Sequence, residues 1–419
     1  MKAWATDKLG SLCLKVSSGG TPLRSVPEYY ENGTIPWMKT GEVKKSVIYD
    51  TEEKITEAGL ENSSAKLVPA NSVIVAMYGD GDTAGNVAIN KVPLTTNQAC
   101  CNFTLDPDKA HYRFIYFYLK GSYNNLVNLK LGGSQQNLNS RSLKNFPITH
   151  PEIEVQRKIA AILSAYDDLI ENNQRRIALL EKMAEEIYRE WFVRLRFPGY
   201  EKVTFIKGVP EGWGRTKVAT LTSYLKRGVA PQYDDLAEGL AINQKCIRDG
   251  KLDLDFARHQ SKDVPADRQV RFGDVLVNST GEGTLGRVAQ VLVPISNCIV
   301  DSHVTIVRPK PDVPIHYFGM TLKAWEVHFI TMGRGATIQT ELAPSVIGGV
   351  EVTVPSKPLQ DTFESHAGPL FAQITHLTAQ NERLVRTRDV ILPRLISGKL
   401  SVENLDIQFP LGMDESAYA

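Results

Sequence analysis

The residue pattern predicts a mixed α/β chain: two β-rich α/β domains separated by two long antiparallel coiled-coil helices, arranged as a tandem pseudo-twofold repeat. Three observations carry that prediction. The second half of the chain repeats the first at a spacing of roughly 200 to 210 residues, which marks an internal duplication. Short Val/Ile/Leu/Tyr runs broken by Gly, Pro and Asn fill the first part of each repeat, the pattern of irregular strands. A stretch rich in Glu, Lys, Arg, Leu, Ile and Ala closes each repeat, which is helical composition.

The repeat rests on an ordered series of matches rather than on any single one. Trp4 and Trp213 precede an apolar segment near each start, and Gly19 with Pro22 is matched by Gly228 with Pro231. Val73-Ile74-Val75 leads to Gly79-Asp80-Gly81, as Val275-Leu276-Val277 leads to Gly281-Glu282-Gly283. Another short strand follows each glycine pair, Asn86-Val87-Ala88 and Arg287-Val288-Ala289. Gly132-Gly133 with Gln136 echoes Gly333 and Gly335 with Gln339. Ile148, Pro151 and Gln156 then align with Val352, Pro355 and Gln360 at one constant offset. The segments expected are 1–150, 151–197, 198–355, 356–400 and a tail, 401–419.

The two helical stretches each carry a heptad seam with steps alternating between four and three. The first runs Ile159, Leu163, Tyr166, Ile170, Asn173, Ile177, Leu180, Ala184, Ile187, Trp191. The second runs Phe363, Ala367, Leu370, Ile374, Leu377, Asn381, Leu384, Arg388, Ile391, Leu395. An antiparallel register that faces Asn173 with Asn381 also faces Ile177 with Leu377, Leu180 with Ile374, Ile170 with Leu384 and Leu163 with Ile391. A polar pair within an apolar seam sets register at some loss of stability. Arg388 is expected opposite Tyr166, its stem packed and its head in water. Pro369, after Gly368, is expected to kink the second helix or delay its start, and the helix to end near Pro393. Helices of about 40 residues span roughly 60 Å and would act as spacers.

Composition narrows the function. Hydrophobic residues make up 42% and charged residues 23%, as in ordinary globular proteins, and the net charge of +1 excludes a generic polycation. Any nucleic-acid contact must then come from local patches or a basic partner. Five cysteines without a CxxC spacing argue for reduced thiols rather than a disulfide frame or a Cys-rich zinc site. No apolar run approaches the length of a membrane span, and the N-terminus lacks a signal-peptide core, so a cytoplasmic protein without membrane contact is expected.

At the helix starts the chain resembles the specificity subunits of Type I restriction-modification enzymes. The characteristic residues are Pro151-Glu152-Ile153-Glu154-Val155-Gln156-Arg157-Lys158-Ile159 leading into Leu163-Ser164-Ala165-Tyr166-Asp167-Asp168-Leu169-Ile170. The closing Ile391-Leu392-Pro393-Arg394-Leu395-Ile396-Ser397-Gly398-Lys399-Leu400 is similarly typical, as is Trp213 after Pro210-Glu211-Gly212. The resemblance covers nearly the whole chain and departs at Gly368-Pro369. It implies two target-recognition domains, 1–150 and 198–355, each binding one part of a bipartite double-stranded DNA target. It implies that the helical segments, 151–197 and 356–400, are conserved regions that dock two modification (methyltransferase) subunits, with restriction subunits joining that core. It also implies that this chain binds no cofactor, the methyl donor, ATP and Mg belonging to the partner subunits.

Candidate DNA-binding residues follow from base-edge chemistry: Asn and Gln suit adenine, Arg and Lys suit guanine. Residues 109–151 contain no acid but six basic side chains, Lys109, Arg113, Lys120, Lys130, Arg141 and Lys144. Within them Gly132-Gly133-Ser134-Gln135-Gln136-Asn137-Leu138-Asn139 is an amide-rich loop, the leading candidate. Lys39, Thr40, Lys44 and Lys45 form a second group around Glu42, and Ser17-Ser18-Gly19-Gly20-Thr21 is a candidate phosphate loop. Tyr78 and Asp80 lie on the first glycine turn. The second-domain equivalents are Lys226, Arg227, Asn243, Gln244, Lys245, Asn278, Ser279, Thr280, Arg287, Arg334, Thr337 and Gln339.

Catalytic patterns are decoys. Gly281-Glu282-Gly283-Thr284-Leu285-Gly286-Arg287 lacks the Lys-Ser/Thr of a phosphate loop. Gly79-Asp80-Gly81 has a twin in the other repeat, which favours a structural turn over a methyl-donor site. No Asn-Pro-Pro-aromatic element, GxSxG or HExxH occurs. A non-catalytic DNA reader is therefore expected. The alternative is a coiled-coil scaffold joining two protein-binding domains without DNA contact, and a self-sufficient nuclease or methylase is the least favoured.

Overall fold

The structure, a computed structural model, describes residues 4–79, 82–129, 137–333 and 340–410. The chain forms two compact units, Met1–Asn172 with Asn381–Ala419, and Asn173–Gln380. Both long helices, Ile153–Tyr188 and Lys357–Ile396, contribute one part to each unit.

In the first unit a five-stranded sheet has the order Cys13–Ser18, Cys100–Leu105, Val73–Ala76, Val87–Asn90, Val47–Ile48. A smaller sheet places Ile35–Met38 between Glu53–Ile55, antiparallel, and Thr95–Thr96, parallel. Ala5–Lys8 pairs with Pro147–His150. The central strand Val73–Ala76 is buried on both faces, which explains its unbroken apolar run. Side chains alternate across a strand. Val73 and Val75 therefore join the core that holds Phe103, Phe114 and Phe117, while Ile74 and Ala76 join Met38, Val43 and Leu94.

The second unit repeats this plan. Its four-stranded sheet runs Thr222–Arg227, Val304–Pro309, Val275–Asn278, Val288–Gln290. Gly239–Ile242 again lies between an antiparallel strand, Arg258–Gln260, and a parallel one, Cys298–Val300. Gly214–Lys217 pairs with Glu351–Val354. The matched glycines have a shared cause. A Cβ on Gly19 would lie 2.2 Å from the carbonyl oxygens of Thr96 and Asn97, and one on Gly228 2.0 Å from that of Val300. No larger residue fits where the edge strand leaves the sheet so close to another backbone. The matched glutamines also have one: each bonds back to a proline carbonyl at the start of a long helix, Gln156 to Pro151 at 3.0 Å and Gln360 to Pro355 at 2.8 Å.

The helix seams pair inside each unit. All twenty seam positions are buried or half-buried, whereas Leu169, Leu179, Met183 and Val390, off the seam, are exposed. In the first unit Ile159 and Leu163 share a core with Leu392, Leu395 and Ile396, and Ile391 packs against it. In the second, Tyr188 and Trp191 pack their rings against Phe363. Contacts fall along antiparallel partners in both. Asn381 donates to the Ile170 carbonyl at 3.4 Å, and Asn173 donates to Gln380 at 3.2 Å.

Three expectations need correction. Pro369 does not delay or interrupt the second helix, which is continuous from Lys357 to Ile396 and ends, as expected, close to Pro393 and before Ser397-Gly398. Gly368 has no Cβ for the proline ring to strike. Pro369 and Ser365, and likewise Pro393 and Asp389, lie on exposed faces, so the carbonyl deprived of its N–H faces solvent. Burial of Leu395 and Ile396 carries the helix past Pro393, and Gly398, at φ 73°, turns the chain away. Second, the Arg388 head is not simply hydrated: it bonds Asp167 at 2.5 Å and Asp389 at 2.8 Å. Third, the tail segment begins as part of the first unit. Val402 enters the core, and Lys158 Nζ donates to the carbonyls of Glu403 and Leu405 at 2.8 and 2.9 Å. The polar composition of Phe409–Ala419 predicts disorder, and residues from 411 onward lie outside the described residues.

Candidate nucleic-acid interface

Each unit brings four segments to one end of its main sheet. In the first, Gly20 N–H bonds the Thr96 carbonyl at 2.8 Å, and Thr21 Oγ1 donates to the Gln98 side chain. Tyr78 Oη, just before the glycine turn, donates to the Gln98 carbonyl at 3.0 Å. Leu138 N–H, at the end of the amide-rich loop, bonds the Met77 carbonyl at 2.9 Å. The second unit reproduces the links. Val229 N–H bonds Val300 at 3.1 Å, Thr280 Oγ1 lies 2.7 Å from His303 Nδ1, and Leu342 N–H bonds Ser279 at 2.8 Å. The glycine turns join antiparallel strands in both units, with Gly79 at φ 147°, Gly281 at 110° and Gly283 at 69°. These are backbone conformations that favour glycine.

The predicted residues divide into three groups. Arg141, Asn137, Lys226 and Lys245 are exposed and form no ion pair with an acidic side chain among the described residues. Lys226 lies over the Tyr224 ring at 5.6 Å. Lys39, Lys44 and Arg227 are instead paired, with Glu53, Asp82 and Glu341 respectively. Arg287 reaches the Gly283 carbonyl at 2.9 Å and braces the turn. A third group is turned inward. Thr40 is buried and donates to Asn97, Ser279 meets Thr305, and buried Asn278 donates to the carbonyls of Gln244 and Thr284. Asn243 caps Lys245 N–H and donates to Phe256. Thr40, Ser279 and Asn278 are buried and Asn243 is half-buried, and the bonds they make hold the loops in shape, while Asn278 Oδ1 is buried without a partner. Gln244 keeps a buried side-chain oxygen without a partner. Lys130, Ser134, Gln135, Gln136, Arg334, Thr337 and Gln339, with Asp80, lie outside the described residues.

Sequence patterns missed Gln98 and His303. Both are exposed, both meet the residue that precedes a glycine turn, and neither sits in a motif. Their only signal was position within the repeat. Arg258 stacked 3.5 Å over Tyr233 was missed for the same reason. Among the described residues no group of three or more His, Cys, Asp or Glu is placed to hold a metal ion, and no helix is long and apolar enough to cross a membrane. The cysteines are free, and burial pushes the thiols of Cys13, Cys100 and Cys298 up to about 12, which leaves them unreactive.

Fold and loops define a class: a tandem-repeat protein that displays two different loop faces on one repeated scaffold. Residues 1–182 match the family model described as Type I restriction modification DNA specificity domain. The chain is 27% identical to the Type I restriction enzyme MjaIX specificity subunit of Methanocaldococcus jannaschii, over 96% of this chain and 95% of that one. It is 33% identical to the EcoR124I/EcoR124II specificity subunit of Escherichia coli, over 44% and 47%. Its fold is similar to the crystal structure of a Type I restriction-modification S subunit from M. genitalium, with a TM-score of 0.62 at 17% identity, covering 94% and 96% of the two chains. Residues 1–182 thus resemble the DNA specificity domain of Type I restriction-modification systems, and nearly the whole chain is similar to specificity subunits of such systems.

Proposed function

We propose that this chain reads a bipartite double-stranded DNA target, one part through each unit, and docks the subunits that perform chemistry there. In this reading 1–150 and 198–355 are the recognition domains. The helical segments 151–197 and 356–400 set the interval between the two half-sites and hold two modification subunits, and restriction subunits join that core in the cytoplasm. Methylation of a stacked adenine requires the base to be flipped into a pocket. That pocket, the methyl donor, ATP and Mg belong to the partners, which also supply phosphate neutralisation that a chain of net charge +1 lacks.

One observation carries the proposal. The same four-segment face occurs twice, but with Tyr78 and Gln98 in one unit and Thr280 and His303 in the other. A shared frame with different polar tips suits two different half-sites. Arg141, Lys226 and Lys245, exposed and without an acidic partner among the described residues, are the cations this reading assigns to phosphate or guanine contact. The test is retention of a randomised duplex pool by the chain co-purified with its modification subunit. Sequence-dependent retention with two separated preferred blocks is expected. Retention without sequence preference, or none, would favour the protein-binding scaffold.

A further inference from the structure

A short helix precedes the reading loop of each unit, Tyr123–Val127 in the first and Glu326–Met332 in the second. Each is seated on the glycine turn of its unit. Tyr123 Oη donates to the Asp82 carbonyl at 3.0 Å, and a Cβ on Gly85 would meet Val127 at 3.1 Å. In the second unit Val288 N–H donates to the Glu326 carboxylate at 2.7 Å. A Cβ on Gly286 would lie 2.6 Å from the Ile330 backbone nitrogen. The groups that make contact differ, but both helices lie against a glycine of the turn at the same place in the repeat.

What they present to solvent is not alike. The first platform exposes Asn124 and Asn125. The second exposes Val327 (73%), His328 and Ile330 (52%). We propose that these two helices are specificity-determining elements that touch base edges: Asn124 and Asn125 an adenine in the first half-site, Val327 and Ile330 a thymine methyl in the second. The inference rests on the DNA-reading function proposed above. Asparagine matches the adenine N6/N7 edge, and an apolar side chain matches the thymine C5-methyl. The duplication separates this from a protein-docking face. Two halves that meet copies of one partner need the same surface twice. Two halves that read different half-sites need different surfaces at matched places, and these helices differ where they are exposed while lying at the same place in the repeat.

The full chain assembled with its modification subunit is challenged with a randomised duplex pool, as wild type, Asn124→Ala, Asn125→Ala and Val327→Ala. All three positions are exposed, so folding is little affected. One of the two asparagine variants should lose adenine discrimination by roughly 5- to 100-fold in one half-site and leave the other unchanged. Val327→Ala should act only on the other half-site. Replacing its thymine by uracil should cost the wild type about fourfold and this variant nothing. Even loss across all sequences, or loss of the modification subunit with base preferences kept, would overturn the proposal. Unchanged preferences in every variant, beside a discriminating wild type, would overturn it while leaving the DNA-reading function standing. A wild type without base preference would remove both.

Discussion

The two units solve one packing problem in two ways. In the first, Ser72 precedes the central strand and its hydroxyl lies 3.3 Å from that of Thr104 on the neighbouring strand. In the second, the matching place holds Asp274 and Arg308. Arg308 donates to Asp274 through Nε at 2.7 Å and through Nη2 at 2.8 Å, and to the carbonyls of Asp267 and Gln269 at 2.9 and 2.7 Å. Asp274 is wholly buried and Arg308 nearly so. A hydroxyl pair needs little desolvation and contributes little. A buried ion pair is safe only while every hydrogen bond is made. Equal folds therefore hide unequal sensitivity to mutation.

The largest expected effect breaks that comparison directly. Asp274→Ala should destabilise the second unit by about 3–5 kcal/mol, because it strands a buried guanidinium. Ser72→Ala should cost the first unit only about 1 kcal/mol. The double variant Asp274→Ser/Arg308→Thr, which installs the first unit's pair, should recover most of the loss. Hydrogen exchange of the full chain, read separately for each unit, measures all three.

Next comes a place where the units are equivalent. Gly19→Ala and Gly228→Ala each force a Cβ into backbone carbonyls and should cost about 3 kcal/mol. Loss of protection in one unit without the other would show that the repeat is not mechanically equivalent there.

A smaller effect should separate the units by pH. His111, at the start of helix Tyr112–Gly121, is buried, where Pro314 stands before Ile315–Ala324. Burial, with Arg113, Arg157 and Lys91 nearby, lowers its pKa from 6.5 to about 3. Its native form is neutral, so below pH 6.5 only the unfolded chain takes up the proton. Stability is lost as the pH falls toward 3, by about 2 kcal/mol at pH 5. Exchange protection in the first unit should fall between pH 6.5 and 5 more than in the second, and His111→Asn should flatten the difference. The smallest effect concerns the loop tips. Tyr78→Phe and Thr280→Val each remove one exposed hydrogen bond and should cost about 0.5–1 kcal/mol at most. Each should alter base preference in a different half-site.

The repeat, the two long helices and their seam were legible because they depend on periodicity and on small residues at close approaches. Gly19 and Gly228 matched in the sequence for the reason now visible in the carbonyls beside them. The candidate interface was legible only in part. Thr40 and Asn278 carry the right chemistry at the right place in the repeat, yet face inward. Gln98 and His303 carry no motif, yet stand exposed beside the glycine turns.

Local patterning by itself determined the duplication, the strand and helix periods and the absence of any familiar catalytic pattern, since each is a property of neighbours along the chain. Tertiary structure decided which polar side chains are tied up within the domain, because their partners lie far off in sequence: Thr40 meets Asn97, Ser279 meets Thr305, and Asp274 meets Arg308. It also decided that Pro369 and Pro393 are tolerated. A proline's missing N–H matters only if the carbonyl it leaves behind is buried, and folding turned both toward water.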